Sequence, residues 1–533
     1  MKRTRLAYPY IFVWMPLFIV APMLFVAYYA FFDNGTFTTE YVKQVFSSTT
    51  YLPALWNSIW IALATTAVCL LAGYPVAYIL SNMKKRTAAL LSILFIMPMW
   101  MNMLLRTLAW KIILYDDGIV ATVLSWFGAT DVQLIYTPGA VLIATIYDFL
   151  PFMILPIYTT LIKIDRSHIE AAHDLGANGL NTFLRVVLPQ SVPGIISGIT
   201  MVFVPAMSTF AVSTMLGGKK IVLFGQLIEE KFLINKSFGV GSTLSLVLII
   251  LVIISMVIMR RRNPLVKKFG KFLKGAYLGI VVLFMYLPIA VMLVMSFTDS
   301  RSAAIWNGFS FGAYTALFSD GDVMDALLTT LLVAVISSIL ATAIGLHSMK
   351  KRPRADVESI TQLPMVNPDL VTGISMMLLF AFIGIKQNVG ITRMVIAHIT
   401  FNIPYVIFSV LPKLRQSSDS LYEAAMDLGC SPVKALAKVV IPDIMPGIVS
   451  GLLLAFTLSI DDFAISLFTG GTSTNLAMLI YSKTAKGGVH TKFCALSALM
   501  FVVVGTLLLI VNLRSIRQEK EAEQQRRKVA QKN

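Results

Sequence analysis

Four aspartates stand in stretches that are otherwise apolar: Asp148, Asp369, Asp461 and Asp462. A charge at the centre of a bilayer costs roughly 2.5 to 3.5 kcal/mol on insertion scales, so such a residue tends to face a cavity and mark a pathway. No Lys or Arg lies near the centre of the stretches that carry them, and unpaired acids in a pore suit a cationic solute. Tyr147, Phe149 and Phe463 stand beside these acids, and aromatic faces hold ammonium groups by cation–π contact. Each residue also has a structural alternative. Asp369 follows Pro368 at a predicted helix start, where the helix dipole favours a first-turn acid. Asp461 and Asp462 are neighbours, about 100° apart on a helix, so one of them is left to bond an adjacent helix. The aromatics suit a lipid-facing surface equally well.

Catalytic chemistry finds no comparable set. Neither Gly218-Lys219 nor Gly270-Lys271 has the glycine spacing or the following Ser or Thr of a phosphate-binding loop, which excludes ATP hydrolysis in this chain by that route. The five histidines follow no ligand pattern, and Cys69, Cys430 and Cys494 show neither a disulfide framework nor a metal-ligand spacing. The expectation is a chain with no catalytic residue, no metal and no cofactor of its own.

The elements that must position the acids are membrane spans. Hydrophobic residues make up 57% of the chain and charged residues 13%, and the mean hydropathy is +0.77, far from globular usage. About 20 apolar residues cross a bilayer as a helix, which places six spans in each half. In the first half they are residues 9–32, 55–80, 88–113, 140–161, 192–216 and 243–259; in the second, 275–297, 326–348, 362–385, 392–412, 444–468 and 495–513. The first run has no small-residue cleavage site and carries Tyr8, Tyr10 and Trp14 as interfacial anchors, so it reads as a span rather than a signal peptide. With the N-terminus cytoplasmic, most of the 44 Lys and Arg fall on the inner side. The net charge of +17 is then a matter of topology and anionic lipid headgroups, and nucleic acid has no motif behind it.

The chain also repeats itself. EAAHDLGANGLNTFLRVVLPQSVPGI runs from Glu170 to Ile195, and EAAMDLGCSPVKALAKVVIPDIMPGI from Glu423 to Ile448, in the same register. Each predicts a helix, a turn and a second helix. Ser167-x-x-Glu170 and Ser420-x-x-Glu423 fit capping boxes, Gly176 and Gly429 stop the first helix, and Ser431-Pro432 restarts the second copy. Pro189 and Pro442 then end the segment. Capping alone accounts for the glutamates but not for the same hairpin recurring between spans. Further echoes link Pro22–Asp33 with Pro288–Asp299, and Gly73 followed by Lys84-Lys85-Arg86 with Gly345 followed by Lys350-Lys351-Arg352. The reading is an all-α polytopic membrane protein of two parallel six-helix repeats, about 12 transmembrane helices. Its parts are a first repeat, 1–262, with its hairpin at 167–190; a basic cytoplasmic linker, 263–274; a second repeat, 275–513, with its hairpin at 420–443; and a basic tail, 514–533.

The pattern E-A-A-x3-G-x9-[IV]-x-[LI]-P resembles the EAA motif of the membrane subunits of ABC importers, the loop that docks into the ATPase subunits. LPFMILPIYTTLIKID before the first hairpin is similar to the B-type permease of spermidine/putrescine importers. MVNPDLVTGISMMLLF, HITFNIPYVIFSVLPKL and LAFTLSIDDFAISLFTGG in the second half are similar to its C-type partner. The whole therefore resembles a fused polyamine permease of type I ABC importer fold.

That resemblance implies ATPase coupling through Glu170, Ala171, Ala172 and Gly176 and through Glu423, Ala424, Ala425 and Gly429. It implies two copies of an ABC ATPase subunit, which carry ATP and Mg, and an extracytoplasmic polyamine-binding protein. It further implies alternating access in a bacterial plasma membrane, both termini being cytoplasmic. B-type permeases often have an uncharged residue where Asp148 stands, so no role for it is inherited. Two other classes stay open: an ABC permease for another solute, such as ferric iron, thiamine or an anion, and a 12-span secondary transporter with midplane acids. Acids in the spans disfavour anions, and paired hairpins disfavour the secondary transporter.

Overall fold

The computed structural model describes residues 13–116, 118–128, 132–218, 220–259, 274–300, 302–348, 367–416, 419–485, 489–503 and 505–506. The basic linker, apart from Lys274, and the basic tail lie outside the described residues. Among those described, eight helices are long and apolar enough to cross a membrane, with one bent pair and three shorter apolar helices besides. One falls in each of the twelve expected places.

In the first half these are α1 (Pro16–Phe31), α2 (Tyr51–Ser81), the pair α3 (Lys85–Ile96) and α4 (Met103–Ile113), and α5 (Pro138–Leu161). The hairpin helix α6 (Arg166–Asp174) leads into α7 (Gly179–Ser208); α8 (Phe224–Glu229) and α9 (Phe238–Met259) complete the set. In the second half they are α10 (Lys274–Met295), α11 (Gly321–Ser348), α12 (Asp369–Ile383) and α13 (Gly390–Gln416). The second hairpin helix, α14 (Asp419–Asp427), leads into α15 (Leu436–Asp461), followed by α16 (Ala464–Thr469), α17 (Leu476–Ala485) and α18 (Thr491–Val503).

Each half is built on a three-helix core, α2 with α5 and α7 in the first, α11 with α13 and α15 in the second. The packing repeats residue for residue. Gly73 of α2 lets α5 approach at Met153 and Ile154, and Gly345 of α11 lets α13 approach at Val406 and Ile407. A side chain at either glycine would push into these neighbours, at 3.2 and 3.1 Å respectively. The halves then exchange arms. Phe25 of α1 meets Phe382 of the second half at 4.5 Å between ring centroids, and Phe284 of α10 meets Trp110 of α4 at 5.5 Å.

Three expected spans are interrupted. The span expected at 88–113 is α3, a 3-10 turn at Met97–Trp100 and α4, bent by 86°. Those at 192–216 and 444–468 stop at Thr209 and Asp462, both of extended backbone, with ψ of 137° and 127°. Hydropathy sees these runs as continuous because the breaking residues are flanked by apolar ones on both sides.

The hairpins form as expected, with two corrections. Gly176 and Gly429 have φ of +78° and +83°, and the two turns close with the same bonds. Gly176 N–H donates to His173 and Ala177 N–H to Ala172; Gly429 N–H donates to Met426 and Cys430 N–H to Ala425. This is the Schellman closure that a left-handed glycine permits.

The first capping box is not realised, and the side chain of Ser420, on which the second depends, lies outside the described residues. Asp165 caps α6 by accepting from Ser167 N–H at 3.0 Å, which also holds the Asp165 carboxyl below its ordinary value. Ser420 falls inside α14. Nor do Pro189 and Pro442 end their segments. A π turn precedes each, at Phe183–Val187 and Leu436–Val440, and the helix runs on. The wider π turn accommodates the place where proline offers no N–H.

Candidate substrate path and coupling hairpins

The interrupted helices bring the acids together from both halves. α15 ends at Asp461, and its carboxylate Oδ1 accepts from Met103 N–H, the first residue of α4, at 2.6 Å. Asn102 caps α4 by accepting from Leu104 N–H at 3.1 Å, and its Nδ2 donates to the carbonyls of Ile460 and Asp461, both at 3.5 Å. A helix start carries orphan N–H groups and a partial positive charge, so the end of α15 and the start of α4 satisfy each other across the two halves.

One turn along α4, Arg106 reaches two of the acids. Nη1 lies 3.3 Å from Asp148 Oδ1, and Nη2 lies 3.8 Å from Asp461 Oδ2. The side chains of Arg106 and Asp148 are 4% and 2% exposed, that of Asp461 28%. The expectation of unpaired acids is therefore corrected: the cation comes from a different span, which inspection of the acids' own spans does not reveal.

Asp462 does not sit beside Asp461 on a helix. The chain is extended there, and Asp462 turns away to cap α16, accepting from Ile465 N–H at 3.2 Å, Ser466 N–H at 2.8 Å and Ser466 Oγ at 2.8 Å. His398 Nε2 of α13 lies 3.3 Å from its Oδ2. Asp369 opens α12 in the place that Met103 has at the start of α4. It is solvent-exposed, and one turn on Gly373 packs against Ala464 and Ile465 of α16. Asp369 is thus a first-turn acid, the structural alternative that the sequence offers for it.

The aromatics divide. Tyr147 is buried against Trp110 at 5.8 Å and Phe284 at 5.9 Å, and Phe149 is buried beside Phe152; neither faces lipid. Phe463 stacks on Phe210 at 5.3 Å and packs on Tyr481 at 4.7 Å. Phe210 and Phe463 follow the equivalent breaks of the two halves. Tyr481 Oη donates to Glu229, 3.1 Å from both carboxylate oxygens. Glu229 and Tyr481 are also equivalent, since α8 and α17 each begin on a bond to a hydroxyl of the long helix, Phe224 N–H to Ser58 and Leu476 N–H to Thr330, both 2.8 Å. The two halves thus meet at matching positions around a pseudo-twofold axis.

Sequence reasoning missed Arg106, His398, Glu229 and Tyr481. For Arg106 a signal exists: the rule that singles out an acid in an apolar span applies equally to a base. At the hairpins Glu170, Ala171, Glu423 and Ala424 are exposed, Ala172 is partly so, and Ala425 is buried. Beside them Leu175 is 88% exposed and Leu428 86%, each placed outward by the glycine turn that follows. Among the described residues no group of His, Cys, Asp and Glu is arranged to hold a metal, and all three cysteines are free thiols.

Residues 69–268 and 334–518 each match the family described as binding-protein-dependent transport system inner membrane component. The chain belongs to this family. Two copies of the family's domain in one chain make it an ABC importer permease subunit with two parallel repeats, a multi-pass protein of the inner membrane. It is 36% identical to the spermidine/putrescine transport system permease protein PotB of Haemophilus influenzae, over 50% of this chain and 96% of that one. It is 32% identical to PotC of Escherichia coli, over 47% of this chain and 96% of that one. Each relative is covered almost end to end by half of this permease, as expected of a fused B-type and C-type pair. A solved bacterial ABC transporter involved in the import of the acidic polysaccharide alginate is also similar, at 15% identity and a TM-score of 0.42, over 47% of this chain and 93% of that one.

Proposed function

We propose that this permease carries polyamines of the spermidine/putrescine type into the cytoplasm by ATP-driven alternating access. The observation that carries the reading is that the partly exposed Asp461 stands two residues before Phe463, whose ring packs across the two halves on Phe210, while the exposed Asp369 opens α12, which packs through Gly373 against Ala464 and Ile465 just past the same break. Open carboxylates attract ammonium groups, and ring faces accept both the methylene chain and the charge. The spermidine/putrescine relatives support the same solute class.

Two copies of an ABC ATPase subunit, holding ATP and Mg, dock on the two hairpins through Glu170, Ala171, Ala172 and Gly176 and their counterparts Glu423, Ala424, Ala425 and Gly429. Leu175 and Leu428 supply the apolar contact. An extracytoplasmic polyamine-binding protein delivers the solute to the opposite face. Both termini and the basic linker face the cytoplasm and its anionic lipids. In the resting arrangement the Phe210–Phe463 stack and the Glu229–Tyr481 bond keep the halves together, and closure of the ATPases moves the hairpins and parts them.

The test is reconstitution of the permease with candidate ATPase and binding-protein subunits, measuring ATP hydrolysis and uptake across a panel of polyamines, ferric iron, thiamine and anions. Stimulation by polyamines alone is expected. Stimulation by another solute and not by polyamines overturns the solute assignment, and uptake that survives ATP removal but stops on collapse of the proton gradient overturns the ATP-driven mechanism.

A further inference from the structure

We propose that Arg106 is a built-in competitor of the substrate, an internal cation that occupies Asp461 while the path is empty and that an arriving ammonium group displaces. The inference rests on the cationic-substrate reading above and adds a residue to it.

The geometry is unequal in a way that suits exchange. Arg106 holds Asp148 at 3.3 Å with both side chains buried, whereas its contact with Asp461 is 3.8 Å long and the Asp461 side chain is partly exposed. A guanidinium presents five donors in a plane and stays charged, so it can serve two carboxylates and release the outer one while keeping the inner. Loss of the inner contact would leave a charge buried and uncompensated, which is far more costly than loss of an exposed contact. Asp461 itself stays in place during the exchange, because Met103 N–H and Asn102 fix it from the start of α4.

The charges around the site then set a selectivity. Asp148 and Arg106 cancel, His398 and the start of α16 hold Asp462, and the exposed Asp369 opens α12, which packs through Gly373 against Ala464 and Ile465, just past Asp461. A solute with one positive charge only replaces the guanidinium at Asp461. One with two or more, spaced along a chain, replaces it and also engages Asp369. Arg106 is therefore a device for favouring polyamines over monoamines and inorganic monocations.

The experiment uses the full permease reconstituted with its ATPase and binding protein. The double variant Arg106→Met with Asp148→Asn removes the internal cation and its buried partner together, so that no buried charge is orphaned. Its KM for a diamine should fall about fivefold, the size expected of a loose, partly exposed ion pair, and inhibition of uptake by butylamine should become stronger by a similar factor. Arg106→Lys, which retains the charge, should restore discrimination against butylamine. Asp148→Asn alone, which leaves Arg106 with Asp461 as its sole counter-ion, should raise the diamine KM. KM and butylamine inhibition equal to wild type in the double variant, with an intact complex by size exclusion, overturn the proposal; if the double variant does not assemble, an unchanged KM in Asp148→Asn does so. Wild-type uptake in the same assay tests the polyamine reading separately. If wild type carries a different cation, the comparison is made with that cation, and if it carries none, Arg106 has no substrate to compete with and the proposal falls.

Discussion

Leu175 and Leu428 give the cleanest test of the coupling role, because each is 88% or 86% exposed and the fold gains little from either. A leucine side chain taken wholly out of water contributes about 1.5 to 3 kcal/mol. Leu→Ala removes most of that surface while leaving Cβ, so each hairpin should lose about 1 to 2 kcal/mol of docking free energy, or about five- to thirtyfold in affinity. The glycine turn is untouched, since the closing bonds are all backbone. The assay is equilibrium binding of the ATPase subunit to the permease in nanodiscs, comparing wild type, Leu175→Ala, Leu428→Ala and the double variant, with thermal unfolding of each permease alone as the control. The expected result is weaker docking at unchanged stability. If the double variant binds the ATPase within about twofold of wild type, less than 0.5 kcal/mol, these leucines do not contact it and the hairpin tips are not the apolar anchor.

Other expectations follow from particular contacts. Asp462→Ala removes the cap of α16 and leaves the N–H groups of Ile465 and Ser466 without their acceptor; it should lower stability by about 2 to 4 kcal/mol, read as reduced folded yield and a lower Tm, whereas Asp461→Asn should lower uptake with the complex intact. A normal Tm for Asp462→Ala would refute the capping role. Replacement of exposed Ala171 or Ala424 by Trp should impair ATPase association without affecting membrane insertion, and undiminished association would argue against docking along that face. Lys492 donates to Asp320, tying the start of α11 to α18, and holds the Asp320 carboxyl below its ordinary 3.8. A lowered folded value means stability that is present above pH 4 or so and lost as pH falls through it. The stability difference between wild type and Lys492→Met should accordingly be full near neutrality and shrink below about pH 4; a pH-independent difference would rule out an electrostatic origin.

Much of this protein is set by short-range information. The twelve apolar stretches follow from composition, since a helix in hydrocarbon must be apolar along its length. The two hairpins follow from a few adjacent residues: a left-handed turn favours glycine, and Gly176 and Gly429 each occupy one. The repeat itself fixes two parallel halves. Local signals fell short where two neighbours compete, as at Asp165, which caps α6 in place of Ser167 two residues on, and at Pro189, where a π turn carries the helix past a residue that ordinarily breaks it.

The candidate site belongs to tertiary structure. Arg106 and Asp461 are 355 residues apart, and Asn102 meets the same helix end across a separation of 359. Their contact exists only because α3 and α4 bend by 86° and present a helix start to the other half. Composition marks Asp148 and Asp461 as acids in apolar surroundings but is silent on which cation answers them, because the pairing depends on how two six-helix units pack and not on any spacing within either. The same holds for Phe210 with Phe463 and Glu229 with Tyr481: the repeat places them at equivalent positions, and only the packing of the two halves turns equivalence into contact.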